Sequence, residues 1–373
     1  MNSAVPIDLT PRLERVFDVA ERQTRATIAR APDFFPMYTE QGRWTRRGEL
    51  WTDWCGGFFD GIMWLLYERT GNAWLRDRAG HYARLLAPRR FDREVHDLGF
   101  IFLNSYAPWF RHTGDAALRD AMIDAGRTLA LRFQPRGRYL CSFIGRDSLF
   151  IDIMMNVPII YFAARETGDA ALREVADTHC RTTERVLVRA NGGTAHEGLF
   201  DTATGEFLRQ STHQGWSADS DWSRGLAWSL YGFTTVYGYT SDPADLAVAR
   251  RNAEHWLTRC GDDPVPPWDF DVPAGPLRIK DSSAGAIAAS GLLELARTLE
   301  KLDAEGAARY RAAAFKLLAA LCGDDYLADP ATGWEGVLRH GVYHYHKGLG
   351  VDESVMWGDY FLLEAVAKAL GLR

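Results

Sequence analysis

Apolar positions along the chain fall into two alternating kinds of helical stretch. Stretches such as LGFIFLNSYAPWFRHTG and IMMNVPIIYFAARETG are apolar nearly all round, whereas DAALREVADTHCRTTERVLV carries its Arg, Ala and carboxylate positions on one face. A helix apolar on every side has to be enclosed, and a one-faced helix lies between core and solvent. The pattern predicts inner helices alternating with outer ones.

The junctions repeat. ERTGNAWLRD turns at Gly71, RHTGDAALRD at Gly114, RETGDAALRE at Gly168, GYTSDPADLA at Ser241 and KLDAEGAARY near Asp303. A Gly or Ser that ends one helix, followed by an Asp that caps the next, makes each unit a helical hairpin. The turns are spaced 43, 54, 73 and about 62 residues apart, too unevenly for an open solenoid. A closed ring with variable loops fits. One hairpin before Gly71 and a last inner helix in SVMWGDYFLLEAVAKALGLR bring the count to six, so the expectation is all-α: an (α/α)6 barrel formed by a single domain, 1–373. Strand signals are few. GTAHEGLFDTATGEFLRQ reads as a small β-hairpin that could lie over the barrel as a lid, and PVPPWDFDVPAGPLRI as a long loop.

Composition narrows the setting. Apolar residues make up 47% and charged residues 25% of the 373, and no run of about twenty apolar residues offers a membrane span. The first residues, MNSAVPIDLTPRLERVF, lack a basic start followed by an apolar run, which predicts a cytoplasmic protein. Cys55, Cys141, Cys180, Cys260 and Cys322 are odd in number and scattered, as free thiols would be. A net charge of −6 gives no basic field for nucleic acid or for a membrane face, so an anionic ligand would depend on local arginines. The oligomeric state is not set by any of this.

Counting back from the turns places the chemistry. Trp54, Asp97 and Arg224 each lie 17 residues before their turn and Asp152 lies 16 before its own. Helices of that length put all four at the same mouth of the ring, at inner-helix starts. Asp is a common helix cap, which would account for either aspartate singly. Asp152, within SLFIDIMMNVPIIYF, has only Asn156 as a polar neighbour on its face, so desolvation is expected to raise its pKa and suit it to general acid work. Asp97, beside His96, is expected to stay ionised. The stretch His213–Trp228, HQGWSADSDWSRGLAW, adds aromatic walls from Trp216, Trp222 and Trp228, with Gln214 and the carboxylates Asp219 and Asp221. Flat apolar rings suit a pyranose, and an arginine such as Arg224 suits a carboxylate, so an acidic sugar is the ligand class. His196, His213, His344 and His346 lack an HxxxH or HExxH spacing with a third carboxylate ligand, so neither metal nor cofactor is expected. The run holding His344, His346 and Lys347 could meet a second sugar or its sulfate.

These residues resemble the unsaturated glucuronyl hydrolases, glycoside hydrolase family 88. The resemblance runs nearly the whole length through HDLGF, IDIMMNVP, HEGLFDTATGE, THQG, DWSRGLAWSLYGF, WDFDVP, KDSSAGAI and WGDYFLLEA. It implies an (α/α)6 barrel that hydrolyses a Δ4,5-unsaturated uronic acid from the non-reducing end of lyase-generated di- or oligosaccharides, without a cofactor. It implies Asp152 as general acid and base and Asp97 as its partner, with His196, Gln214, Trp222, Arg224, Trp228 and Tyr343 at substrate-contacting positions. Trp54 and His213 join that set from their places in the chain. Two positions depart from the family pattern: Leu226 stands where it usually has Gln, and Phe59 where it usually has Trp, which puts the subsite beyond the uronate in question. The competing readings are an unsaturated rhamnogalacturonyl hydrolase on the same barrel, a sugar epimerase, which would need paired histidines where this chain has aspartates, and a non-catalytic oligosaccharide-binding ring.

Overall fold

The computed structural model describes residue 6, residues 8–45 and residues 53–373. Twelve α-helices are found among them: α1 (Thr10–Arg30), α2 (Gly56–Thr70), α3 (Ala73–Leu86), α4 (Leu98–Thr113), α5 (Ala116–Ala130), α6 (Pro158–Thr167), α7 (Ala170–Leu187), α8 (Ser223–Thr240), α9 (Pro243–Cys260), α10 (Ser282–Leu299), α11 (Ala304–Leu321) and α12 (Met356–Ala369). The even-numbered helices form a closed inner ring, each packing on the next and α12 returning to α2. Outside it, α3 covers α2 and α4, α5 covers α4 and α6, and α11 covers α10 and α12. The first helix, α1, closes the circle against α12 and α2. This is the (α/α)6 barrel that the apolar pattern predicts.

The two ends of the barrel differ because of their connections. At one end, Gly71, Gly114, Gly168 and Ser241 close their helices in the left-handed conformation, with φ of 67°, 67°, 68° and 54°. The side chains of Asn72, Asp115, Asp169 and Asp242 then accept from the amide two residues on. Each cap stabilises its helix by about 1 kcal/mol and holds the turn short. At the other end the connections are long, and every strand lies in them: β1 (Tyr38–Glu40), β2 (Arg43–Thr45), β3 (Phe133–Gln134), β4 (Tyr139–Leu140), β5 (Ser148–Phe150), β6 (Glu197–Phe200), β7 (Phe207–Ser211), β8 (Gly341–His344) and β9 (Leu349–Glu353).

The expected hairpin is β6–β7. It is joined by β5 into a three-stranded antiparallel sheet, and three more hairpins accompany it: β1–β2, β3–β4 and β8–β9. The sheet is part of the barrel wall, since the Ile151 amide donates to the His196 carbonyl at 3.0 Å just before Asp152. Residues 261–281 form the second long loop, as their prolines dictate. None of the described helices is long and apolar enough to cross a membrane. None of the five cysteines is in a disulfide, and Cys260 is the only one of them not buried.

Candidate active site

Asp97 ends the connection into α4, and its side chain makes no capping hydrogen bond. Asp152 makes none either. It sits in a 3-10 turn, Ile151–Met155, and not at the start of an α-helix as its spacing suggested, because α6 begins only at Pro158. Proline has no N–H to give and fits a helix start, which delays the helix to that point. Helix capping therefore explains neither aspartate.

Asn156 brings the two segments together. Its Oδ1 accepts from the Phe100 amide at 2.7 Å and its Nδ2 donates to the Asp152 carbonyl at 3.1 Å. Gly99 permits the approach, since a Cβ there would lie 2.4 Å from the Asn156 Cα. Between the carboxyl groups stands His96, which is fully buried. Its Nδ1 accepts from the Phe143 amide at 3.0 Å, which leaves the ring proton on Nε2. That nitrogen lies 3.5 Å from Asp97 Oδ1 and 3.6 Å from Asp152 Oδ2.

The electrostatics reverse the expected order of the two acids. Burial pushes Asp97 up to about 6, with His96 opposing and Asp152 adding to the rise. Burial also pushes Asp152 up, but the His96 ring, its Nε2 3.6 Å from Asp152 Oδ2, outweighs that, so it falls below the ordinary value. Asp97 is the more enclosed, its side chain 5% exposed against 15% for Asp152. Enclosure could not be read from sequence neighbours: Asp152 has apolar flanks but opens into the pocket.

The cavity is lined by Trp54, His96, Asp97, Phe143, Phe150, Asp152, Gln214, Trp222, Arg224, Trp228 and Tyr343. Eight of the ten expected site residues are in this wall. His196 stands behind it, its ring 4.5 Å from Phe150 and 4.4 Å from Trp222. His213 packs behind Phe150, its ring 5.9 Å away. The His196 Nδ1 accepts from the amides of His213 and Gln214 at 3.1 and 3.0 Å, and burial lowers its pKa to about 3, so the ring is neutral with its proton on Nε2. Trp54 packs at a tilt against Trp357, ring centroids 4.7 Å apart, and Trp228 against Phe100 at 4.9 Å, which fixes the aromatic wall.

Arg224 does not present an open fork. It is 1% exposed, one terminal nitrogen donates to the Val342 carbonyl and lies 3.5 Å from Asp281, and the other donates to Gln214 Oε1 and, at 2.8 Å, to the Tyr343 carbonyl. What reaches the pocket is its charge and its hold on Gln214, whose amide is oriented with Nε2 free to donate.

Three residues are missing from the sequence reading: His96, Phe143 and Phe150. The pairing of His96 with the Phe143 amide spans 47 residues, and no local pattern signals it. Asp221 belongs elsewhere. It accepts from Arg189 and Thr194 of its own connection and from His255 and Arg259 of α9, tying that connection to α9 outside the cavity. Neither departure from the family pattern lines the pocket: Leu226 is fully buried and Phe59 meets Tyr82 on the outer helix α3 at 5.2 Å. His344 is buried, its pKa lowered to about 3 by burial, so it adds no cation to the 344–347 run. Among the described residues, the cluster with metal-ligand atom types is His96, Asp97 and Asp152, within 4.8 Å of one another, and not the four histidines.

A barrel with two carboxyls and a histidine in an aromatic-walled cavity is an arrangement suited to a glycoside hydrolase. The chain belongs to Glycosyl Hydrolase Family 88, whose model matches residues 20–252. It is 36% identical to the unsaturated glucuronyl hydrolase of Bacillus sp. (strain GL1) over 85% of this chain and 86% of that one. It is 32% identical to the unsaturated chondroitin disaccharide hydrolase of Streptococcus pneumoniae (strain ATCC BAA-255 / R6), over 85% and 82%. The crystal structure of the Bacillus sp. GL1 enzyme, responsible for the degradation of glycosaminoglycan, matches with a TM-score of 0.89 at 33% identity, covering 95% of this chain and 96% of that one.

Proposed function

We propose that this barrel, acting as one catalytic domain, removes a Δ4,5-unsaturated uronic acid from the non-reducing end of lyase-generated oligosaccharides, with Asp152 and Asp97 as its acid–base pair. The observation that carries the reading is the His96 bridge. Two carboxyls that lie 3.5 and 3.6 Å from a single imidazole Nε2, one pushed up to about 6 and the other held down, hold one proton between them up to about pH 6.

The substrate's C4=C5 bond is an enol ether. A proton passes from the carboxyl pair to C4 as the C5 cation develops, and water adds at C5 while the conjugate carboxylate takes its proton. The resulting hemiketal opens and releases the aglycone. Asp152, the more open of the two, is the donor. Bound substrate removes its remaining water and brings a carboxylate close, and both effects raise its proton affinity and draw the shared proton from Asp97. The uronate carboxylate is met by Gln214 Nε2, polarised by Arg224 behind it, while Trp54, Trp222, Trp228 and Tyr343 enclose the ring. General acid–base work of this kind typically contributes about 10²–10⁴ in rate. No step requires a metal.

A cytoplasmic site of action fits the five free thiols. The test is loss of the double bond's ultraviolet absorbance on incubation with unsaturated disaccharides from hyaluronan, chondroitin, heparin, gellan and pectin. Loss with at least one uronyl product is expected, and loss confined to the pectin product would favour the rhamnogalacturonyl reading. No loss with any of them would overturn the proposal.

A further inference from the structure

Trp216 lies two residues beyond Gln214, whose side chain lines the cavity, and at 37% exposure it is the most open of the described tryptophans. Two residues of chain span at most about 7 Å, so the Trp216 backbone lies within that distance of the Gln214 backbone. The loop that carries it is tightly held. The Trp216 amide donates to Asp269 Oδ2 at 2.8 Å, and the Gly215 amide to Thr212 Oγ1 at 2.8 Å. The Gly215 carbonyl accepts from His346 Nε2 at 2.8 Å, and the Ser217 amide donates to Ser220 Oγ at 3.0 Å. Behind it, Trp268 meets the indole nearly edge-on at 6.4 Å and is itself stacked on Tyr345 at 4.4 Å.

A large aromatic ring fixed on a rigid loop and left in water gains little for folding, but it offers flat apolar area to a ligand at small entropic cost. A pyranose has an apolar face that matches it. We propose that Trp216 is the stacking platform for the aglycone sugars, the units that continue outward from the uronate. This rests on the reading of the cavity as the uronate site, to which the Trp216 loop is joined in sequence through Gly215 and Gln214. The platform selects for chain length rather than for the uronate itself, because its ring lies outside the residues that line the cavity.

The experiment compares the parent, Trp216→Ala and Trp216→Phe on two substrates, an unsaturated uronyl tetrasaccharide and the methyl glycoside of the same unsaturated uronic acid. An aromatic contact of this kind corresponds to about two- to tenfold. Trp216→Ala is expected to lose that much in kcat/KM on the tetrasaccharide, mainly through KM, with less than a twofold change on the methyl glycoside and partial recovery in Trp216→Phe. Equal losses on both substrates would mean that the residue only supports the loop, and no loss on either would mean that no sugar reaches it. Both results overturn the platform while leaving the uronate reading intact. A parent inactive on both substrates would overturn that reading, and the platform with it.

Discussion

Asn156 donates from its side-chain amide to the backbone carbonyl of Asp152 at 3.1 Å, and with its other end accepts from the start of α4. One amide thus sets the distance between the two acid-bearing segments. Asn156→Leu removes both bonds and leaves the Phe100 amide without a partner in a buried place, at a cost of about 1–3 kcal/mol. Misplacement of a reacting group by about 1 Å can cost on the order of 10² in rate. The expected outcome is a large fall in kcat with KM little changed in the protein that still folds. An unchanged kcat would show that Asn156 does not position the pair.

Asp97 predicts a pH dependence. Its folded value of about 6 lies above the 3.8 of an ordinary Asp, so the folded state binds its proton more tightly than the unfolded chain does. The stability this gives is complete below about pH 4 and is lost as the pH rises through about 6. Asp97→Asn should therefore melt above the parent at pH 8, by at most about 3 kcal/mol, with the difference vanishing near pH 4. The parent's rate should fall above an apparent pKa near 6 that belongs to the carboxyl pair. A rate that is flat from pH 5 to 8, read with a saturating unsaturated disaccharide, would contradict the shared proton.

Arg224 is buried against Asp281, which caps α10, and against the β8 carbonyls of Val342 and Tyr343. Arg224→Lys keeps the charge but cannot serve four partners from one ammonium. The expected result is a lower Tm together with a higher KM, since Gln214 loses the group that orients it. A rise in KM at unchanged Tm would point to a direct contact between Arg224 and the substrate carboxylate.

Asp60 is a second carboxyl in an apolar place, fully buried within α2, where burial lifts its pKa well above the ordinary value and the Gly61 backbone offsets only part of the rise. Being raised, it costs stability increasingly as pH climbs above about 4. Asp60→Asn should raise Tm more at pH 8 than at pH 5, with activity retained because the residue is outside the cavity. Equal shifts at both pH values would mean that Asp60 is ionised in the folded protein at both, with its pKa not raised.

The barrel was legible because its signals are local. A left-handed turn residue followed by a capping Asp repeats along the chain, and all-round apolarity marks each inner helix. The same count placed Asp97, Asp152, Arg224 and Trp54 around one mouth. What escaped the sequence is what long-range packing decides. His96 lies next to Asp97 in sequence, but its place between two carboxyls depends on Asn156 and Phe143, from another connection. The order of the acids was misjudged because apolar neighbours in sequence signal burial only where the side chain points inward, and Asp152 points into the pocket. Arg224 was taken for an open clamp, although Val342 and Tyr343, more than a hundred residues away, occupy its donors. The short hairpins escaped because strands of two to five residues carry little periodicity.

Asp152→Asn tests the central claim most directly, because it keeps the shape of the side chain and removes only the exchangeable proton. Turnover of an unsaturated uronyl disaccharide, ligand binding by calorimetry and Tm are measured on one preparation. The account predicts a folded protein that binds the disaccharide with near-parental affinity and turns it over at least 10²-fold more slowly. Turnover close to the parent's, whatever happens to Tm, would show that Asp152 does not move the proton.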